Sequence, residues 1–150
     1  MTSVQRARRW LTKAIPRNNQ DRAFQLLGLA WANGDKQTLQ KIGHALLSEQ
    51  HKDGGWGQHL TMESDAYATG QALVALHQAG GLPVTSRAYQ RGVQYLLAHQ
   101  AADGSWMVVT RSFPFQKYFE SGFPYGDNQW ISAAASSWAT MALALTVERP

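Results

Sequence analysis

The strongest constraint on the fold of this chain is an internal repeat near its middle. Residues 46–56 read LLSEQHKDGGW, and fifty positions later residues 96–106 read LLAHQAADGSW. The two segments share a Leu-Leu pair, a glutamine, an Asp-Gly pair and a tryptophan at matching places. Matches at a fixed offset are typical of tandem repeats, in which each repeat is one supersecondary unit. The sequence therefore predicts stacked copies of one unit.

Each copy is interpreted as the end of a helix and the turn that follows it. The Leu-Leu pair closes a run with apolar residues every three or four positions, which is the helical period. The Asp-Gly pair then stops the helix, because glycine adopts the left-handed conformation and aspartate forms turns. We name residues 46–56 the first clasp and residues 96–106 the second clasp, and we interpret both as structural links between neighbouring helices. The residues assigned to this motif are Gln50, Asp53, Gly54, Trp56, Gln100, Asp103, Gly104 and Trp106.

The whole chain predicts six helices of two alternating types. Amphipathic helices are typical of an outer layer with one face in water, and helices that are apolar nearly all round are typical of a buried inner layer. The amphipathic helices cover residues 3–15, 35–50 and 86–100, and the apolar ones cover residues 22–33, 64–79 and about 129–147. The sequence therefore predicts one all-α domain over residues 1–150, with three helical hairpins in an arc around an apolar hollow.

The pattern Gln-x-x-Asp-Gly-x-Trp after a Leu-Leu helix end resembles the QW motif of the squalene–hopene and oxidosqualene cyclases. The β subunits of protein prenyltransferases share the same repeat architecture. The resemblance implies an α/α toroid, and because a full toroid of this superfamily has six hairpins, three hairpins make about half of the ring. Open ends of a repeat array normally need covering. We therefore expect a second copy, the rest of a longer protein or a long insertion to cover them.

Residues 107–128 depart from the repeat and are rich in aromatic residues and prolines. A long irregular segment inside a compact domain is usually functional or packs as a lid. One interpretation is a hydrophobic flap that seals the open end of the arc, and we favour it because an aromatic-rich segment must first bury itself. The other is the wall of a cavity for an apolar ligand. The candidate lining residues are Tyr67, Phe115, Tyr118, Phe119, Phe123, Tyr125, Trp130 and Trp138.

The resemblance also implies a place to look for chemistry. Cyclases of this class protonate an alkene or epoxide with an Asp-x-Asp-Asp motif, which this sequence lacks. The segment most similar to that motif is Glu63-Ser64-Asp65 at the start of the fourth predicted helix. Glu63 and Asp65 are therefore the candidate catalytic acids, and Asp65 is the preferred one. However, Asp21, Asp65 and Asp127 each precede or begin a predicted inner helix, where a carboxylate caps free amides. We therefore favour capping over catalysis.

A third hypothesis is a carbohydrate-active enzyme, because helical toroids also host glycan hydrolases and lyases that pair two carboxylates across a cleft. Glu63 or Asp65 with Glu120 or Asp127 would be such a pair. Hydrolysis requires a separation of about 5 to 9 Å between the two groups.

Composition excludes several other functions. The chain has no cysteine, and its five histidines show no His-x-x-x-His pair, so we predict no metal and no cofactor. No apolar run is long enough to cross a bilayer. The net charge of +4 is concentrated before residue 23, but no nucleic-acid motif accompanies it, so we predict a solvated basic face and no nucleic-acid partner. The sequence assigns no compartment.

The favoured hypothesis is a non-catalytic repeat module that acts as a scaffold or binds an apolar, isoprenoid-like ligand. It depends on the two intact clasps and on the missing acid motif. The alternatives are a divergent terpenoid cyclase, or a fragment of one, and the carbohydrate-active enzyme.

Overall fold

The computed structural model describes residues 1–113 and 117–147, and the described residues form helices and connecting loops without any strand. The all-α prediction is therefore confirmed. The six helices are α1 (Ser3–Lys13), α2 (Asn19–Trp31), α3 (Lys36–Leu47), α4 (Ala66–Gln78), α5 (Arg87–Ala98) and α6 (Gln129–Ala144). A short 3₁₀ turn at Gly126–Asn128 precedes α6.

The first five helices begin at a polar residue whose side chain accepts a hydrogen bond from a backbone N–H three positions later. This interaction satisfies one of the free amides at each helix start. The capping residues are Thr2, Asn18, Asp35, Asp65 and Ser86.

The expected role of three aspartates as caps holds only for Asp65. Helix α2 begins three residues earlier than predicted because Asn18 caps it. Asp21 lies in the first turn of α2, where its carboxylate accepts a hydrogen bond from the backbone N–H of Arg17. Asp127 lies in the 3₁₀ turn, and α6 begins without a side-chain cap.

The helices form two layers, in the predicted alternation. Helices α2, α4 and α6 pack side by side as the inner layer, with α4 in the centre, while α3 packs against α2 and α4 and α5 packs against α4 and α6. Gly70 lets α4 and α6 approach closely, since a Cβ there would lie 2.6 Å from the carbonyl carbon of Trp138. The hairpins are thus α1–α2, α3–α4 and α5–α6.

The inner helices at the two ends are less buried than predicted. Trp31 of α2 is 72% exposed and Trp130 of α6 is 54% exposed, whereas α4 is enclosed by four other helices. The sequence pattern shows which faces of a helix are apolar, but it does not show whether the same chain supplies a neighbour for each face.

Candidate functional site

The first clasp connects three segments of the chain. The indole Nε1–H of Trp56 donates to the carbonyl oxygen of Leu46 at 2.9 Å, so the loop is held against the end of α3, and the ring is fully buried. The amide Nε2 of Gln50 donates to the carbonyl oxygens of Gly54 at 2.9 Å and Ala88 at 2.8 Å. Because Ala88 lies in the first turn of α5, Gln50 joins the loop to the next outer helix.

The second clasp repeats only part of this arrangement. Trp106 donates from its indole nitrogen to the carbonyl oxygen of Leu96 at 2.8 Å, and Gln100 donates to the carbonyl oxygen of Gly104 at 2.9 Å. Hydrogen bonds from the side chain and the backbone N–H of Ser105 lower the pKa of the exposed Asp103 carboxyl. The amide of Gln100 is exposed and has no second partner among the described residues.

The candidate acid Asp65 uses both of its carboxylate oxygens in structural contacts. One oxygen accepts the backbone N–H of Ala68 at 2.8 Å, and the other forms an ion pair with Arg111. Arg111 also donates to the side-chain oxygen of Gln58 at 2.6 Å and lies 6.0 Å from the ring centroid of Tyr67. Both side-chain oxygens of Asp65 thus serve the start of α4 and the contact with Arg111.

Sequence reasoning missed Arg111, because it lies in an irregular segment 46 residues from its partner Asp65. Glu63, the second candidate acid, is exposed on the loop before α4. Glu120 accepts a hydrogen bond from the hydroxyl of Tyr118, which lowers the pKa of the Glu120 carboxyl. A lowered pKa does not suit the general acid of a glycan hydrolase, which needs a raised one.

A serine, a histidine and an aspartate also meet in the loop before α4. The hydroxyl of Ser64 donates to Asp53 at 2.9 Å and lies 2.9 Å from Nδ1 of His51. Asp53 contacts the serine and not the imidazole, so it does not orient His51 as the third member of a nucleophilic triad does. We interpret the cluster as a support for the first clasp.

Two pairs of the aromatic residues proposed as ligand lining lie together in the described part of the chain. Phe119 stacks on Trp130 with ring centroids 6.3 Å apart, and Phe123 lies 6.4 Å from Tyr125. Tyr125 is held by a hydrogen bond between its hydroxyl and Ser105. Phe115 lies outside the described residues.

The expectation that the segment at 107–128 buries its aromatic rings as a seal is wrong for three of them. Phe113 is 93% exposed, Phe119 64% and Tyr118 57%. Val108 attaches the segment instead: its side chain is buried in the core, and the hydroxyl of Ser132 on α6 bonds both its N–H and its carbonyl.

The inner face, which we define as the side of α2, α4 and α6 turned away from the outer helices, carries a different aromatic pair. Phe24 of α2 meets Trp138 of α6 edge to face, with ring centroids 5.8 Å apart, although α4 lies between their helices. In α4, the spacing of four and three residues between Tyr67, Gln71 and Val74 places these three side chains on one face of the helix.

Gln71 is a polar residue in an otherwise apolar part of α4. Its side chain is 2% exposed, and in the part of the chain that the structure describes neither its amide nitrogen nor its amide oxygen has a hydrogen-bond partner. Buried polar groups are nearly always paired, so an unpaired amide is unusual and needs an explanation. Sequence reasoning missed both Gln71 and Phe24, and the only available signal was a glutamine amid small and apolar residues.

Three further observations limit the chemistry of the described residues. They hold no group of three or more histidine or acidic side chains placed to bind a metal ion. None of their helices combines the length and the apolar composition needed to cross a bilayer. A cleft of about 690 Å³ lies between α1 and the turn after α2, and its lining includes Arg9, Lys13 and Asp35. This cleft is not on the inner face.

Comparison with known proteins places this architecture in a family. The model of the squalene-hopene cyclase C-terminal domain family matches residues 22–125, which is more than half of the chain. The chain belongs to this family. The matched range contains both clasps and helices α3, α4 and α5 completely.

Three relatives are much longer than the part of them that matches this chain. A squalene–hopene cyclase of Bradyrhizobium diazoefficiens is 35% identical over 109 residues, which are 65% of this chain and 15% of the relative. A drimenyl diphosphate synthase of Streptantibioticus cattleyicolor is 37% identical over 79 residues, 53% of this chain and 14% of the relative. An alpha-2-macroglobulin of Thermotoga maritima is 35% identical over 75 residues, 49% of this chain and 5% of the relative. The chain therefore spans about a seventh or less of these three proteins.

Proposed function

We propose that this squalene-cyclase-type module is not itself catalytic and binds an apolar, isoprenoid-like ligand on its inner face. The observation that carries the proposal is the state of Asp65, whose two carboxylate oxygens accept hydrogen bonds from Ala68 and Arg111. Protonation of an alkene needs a carboxylic acid with a free proton, and the best candidate in the sequence is committed to other contacts.

The inner face supports the binding part of the proposal. Phe24 and Trp138 present aromatic surface above α4, and Trp31 adds a largely exposed indole on α2. Aromatic faces attract apolar chains through their large contact area. The buried amide of Gln71 in α4, which has no partner among the described residues, offers both a donor and an acceptor.

The relatives support a module whose fold does not fix its activity. Two of the three carry the names of cyclizing or terpenoid enzymes and one is named alpha-2-macroglobulin, so the same sequence pattern occurs in proteins with different functions. Function belongs to sites placed on folds, not to folds themselves.

The binding test is a titration with farnesol, an isoprenoid with one hydroxyl group, followed by tryptophan fluorescence. We expect a saturable change in emission that is lost in Phe24→Ala, while the matched variant Phe113→Ala, altered at an exposed ring in the loop, keeps it. Helical circular dichroism checks that both variants fold. A titration without saturation would overturn the binding proposal.

The second candidate is a divergent cyclase that uses Asp65, and the names of two relatives favour it. Incubation with squalene and shorter isoprenoids, followed by gas chromatography with mass spectrometry, tests it directly. Cyclic products that disappear in Asp65→Asn would show catalysis and would overturn our proposal.

A further inference from the structure

Three glutamines are buried among the described residues, and two of them hold other segments in place. Gln25 of α2 donates from its amide nitrogen to two carbonyl oxygens at the end of α1, at 2.7 and 2.9 Å. Gln129 of α6 donates to the carbonyl oxygen of Phe119 at 2.9 Å and accepts the backbone N–H of Ser121 at 2.6 Å. These two buried amides are therefore structural links.

Gln71 of α4, the third buried glutamine, makes no such link. Its amide nitrogen and its amide oxygen are both unpaired within the described ranges, whereas Gln25 leaves only its oxygen unpaired. An unpaired buried amide destabilises the folded chain, because it gives up its hydrogen bonds to water and receives none in return. The amide of Gln71 therefore lowers the stability of the free protein, and no contact among the described residues offsets that loss.

The direction of the neighbouring side chains places Gln71 on the inner face. The hydroxyl of Thr69 accepts the backbone N–H of Trp56 in the first clasp at 2.9 Å. Leu73 packs on Gly92 of the outer helix α5. Thr69 and Leu73 thus both point away from the inner face. Gln71 is two residues from each of them, which is about 200° around a helix, so it points to the opposite side.

The aromatic pair of the inner face lies next to this amide. A Cβ at Gly70 would lie 2.8 Å from the Cβ of Trp138, so the side chain of Trp138 starts beside the residue that precedes Gln71. The ring of Trp138 meets the ring of Phe24 at 5.8 Å, and α4 lies between the helices that carry them. The unpaired amide is therefore buried at the same part of the inner face as the aromatic pair.

We propose that Gln71 selects the ligand of the inner face by a hydroxyl group and so favours an isoprenoid alcohol over an isoprenoid hydrocarbon. This inference rests on the proposed function, which supplies the site for the apolar part of the ligand. A hydroxyl accepts from the amide nitrogen or donates to the amide oxygen, whereas a hydrocarbon does neither. Because the amide is already without water in the free protein, it loses no hydrogen bond to water when the alcohol binds. A bond to this amide therefore adds more to affinity than a bond to an exposed glutamine would.

Binding requires a local rearrangement, because the amide is 2% exposed in the free protein. The hydroxyl reaches Gln71 after a side chain of the inner face has changed its rotamer. Phe24 is 43% exposed, and side chains with free surface change rotamer within nanoseconds. The site is closed in the free protein and opens when the ligand binds.

The stability of the free protein gives the first test. Gln71→Met replaces the amide with an apolar group of nearly the same shape, so the unpaired polar atoms disappear and the Tm should rise by about 2 to 4 °C. The matched control Gln94→Met, at an exposed position of α5, should leave the Tm unchanged. A lower Tm in Gln71→Met would show that the amide has a partner in the free protein and would contradict the proposal.

Selectivity between two ligands gives the second test. Farnesol and farnesene, a hydrocarbon with the same number of carbon atoms, are titrated against the wild-type protein and both variants, with tryptophan fluorescence as the signal. We expect the ratio of the dissociation constants, farnesene over farnesol, to fall about tenfold in Gln71→Met and to keep its wild-type value in Gln94→Met.

The result also separates this inference from the proposed function. Saturable binding of both ligands, with the same ratio in the wild-type protein and in Gln71→Met, would overturn the role of Gln71 and leave the proposed function intact. A titration in which neither ligand saturates the wild-type protein would overturn both.

Discussion

The two clasp glutamines differ in what they join, and the difference predicts unequal losses of stability. Gln50→Met removes two hydrogen bonds of a half-buried amide, one of which reaches the next outer helix. Gln100→Met removes one bond of an exposed amide within its own loop. A hydrogen bond contributes about 1 kcal/mol net and less where water competes, so we expect losses of about 2 kcal/mol for Gln50→Met and about 0.5 kcal/mol for Gln100→Met.

Urea and thermal unfolding, followed by circular dichroism, measure both losses. In a domain of this size, about 2 kcal/mol corresponds to a fall in Tm of about 4 to 8 °C. Methionine has nearly the same shape as glutamine, so the comparison isolates the hydrogen bonds. Equal losses for the two variants would refute the view that the first clasp links hairpins and the second does not.

Three other changes have expected outcomes. Gly70→Ala should lower the free energy of unfolding by about 1 to 3 kcal/mol in urea denaturation, because the new methyl group would collide with the backbone at Trp138; unchanged stability would contradict the close approach of α4 and α6. Burial raises the pKa of Tyr89 to about 12, so the stability that its neutral hydroxyl gives is complete below pH 10 and is lost between pH 10 and 12. Tyr89→Phe should therefore flatten the fall in stability over that range, and an unaltered pH profile would exclude this cause. Arg111→Gln should cost about 1 kcal/mol in low salt and less in high salt, since it breaks the ion pair with Asp65; a loss that is independent of salt would argue against the pair.

Local sequence patterns predicted the helices and their order because the helical period and the stop signals act over a few residues. Helices α3 and α5 end at Leu47 and Ala98, within about three residues of the predicted ends, and the Asp-Gly turns follow. The start of α2 differs from the prediction because Asn18, and not Asp21, is the N-cap residue. The Leu-Leu pair, the glutamine, the Asp-Gly pair and the tryptophan, matched fifty residues apart, indicated that the unit repeats.

The candidate site was less predictable because its contacts join distant parts of the chain. Arg111 reaches Asp65 from an irregular segment, and Phe24 meets Trp138 from another hairpin, so neither contact leaves a periodic mark in the sequence. The aromatic segment was expected to bury its rings, but a count of aromatic residues does not indicate what surface is available to cover them. Phe113 remains exposed for that reason.

The turn at Gly104 has a consequence for how such proteins gain length. Its φ of +86° is close to the +93° of Gly54, but the nearest atom to its Cβ position lies 3.9 Å away, whereas the carbonyl oxygen of Arg91 lies 2.6 Å from the Cβ position of Gly54. A hairpin that follows α6 would therefore bring its outer helix to a turn already shaped to receive it and to the exposed amide of Gln100, so growth at this end requires no new docking chemistry.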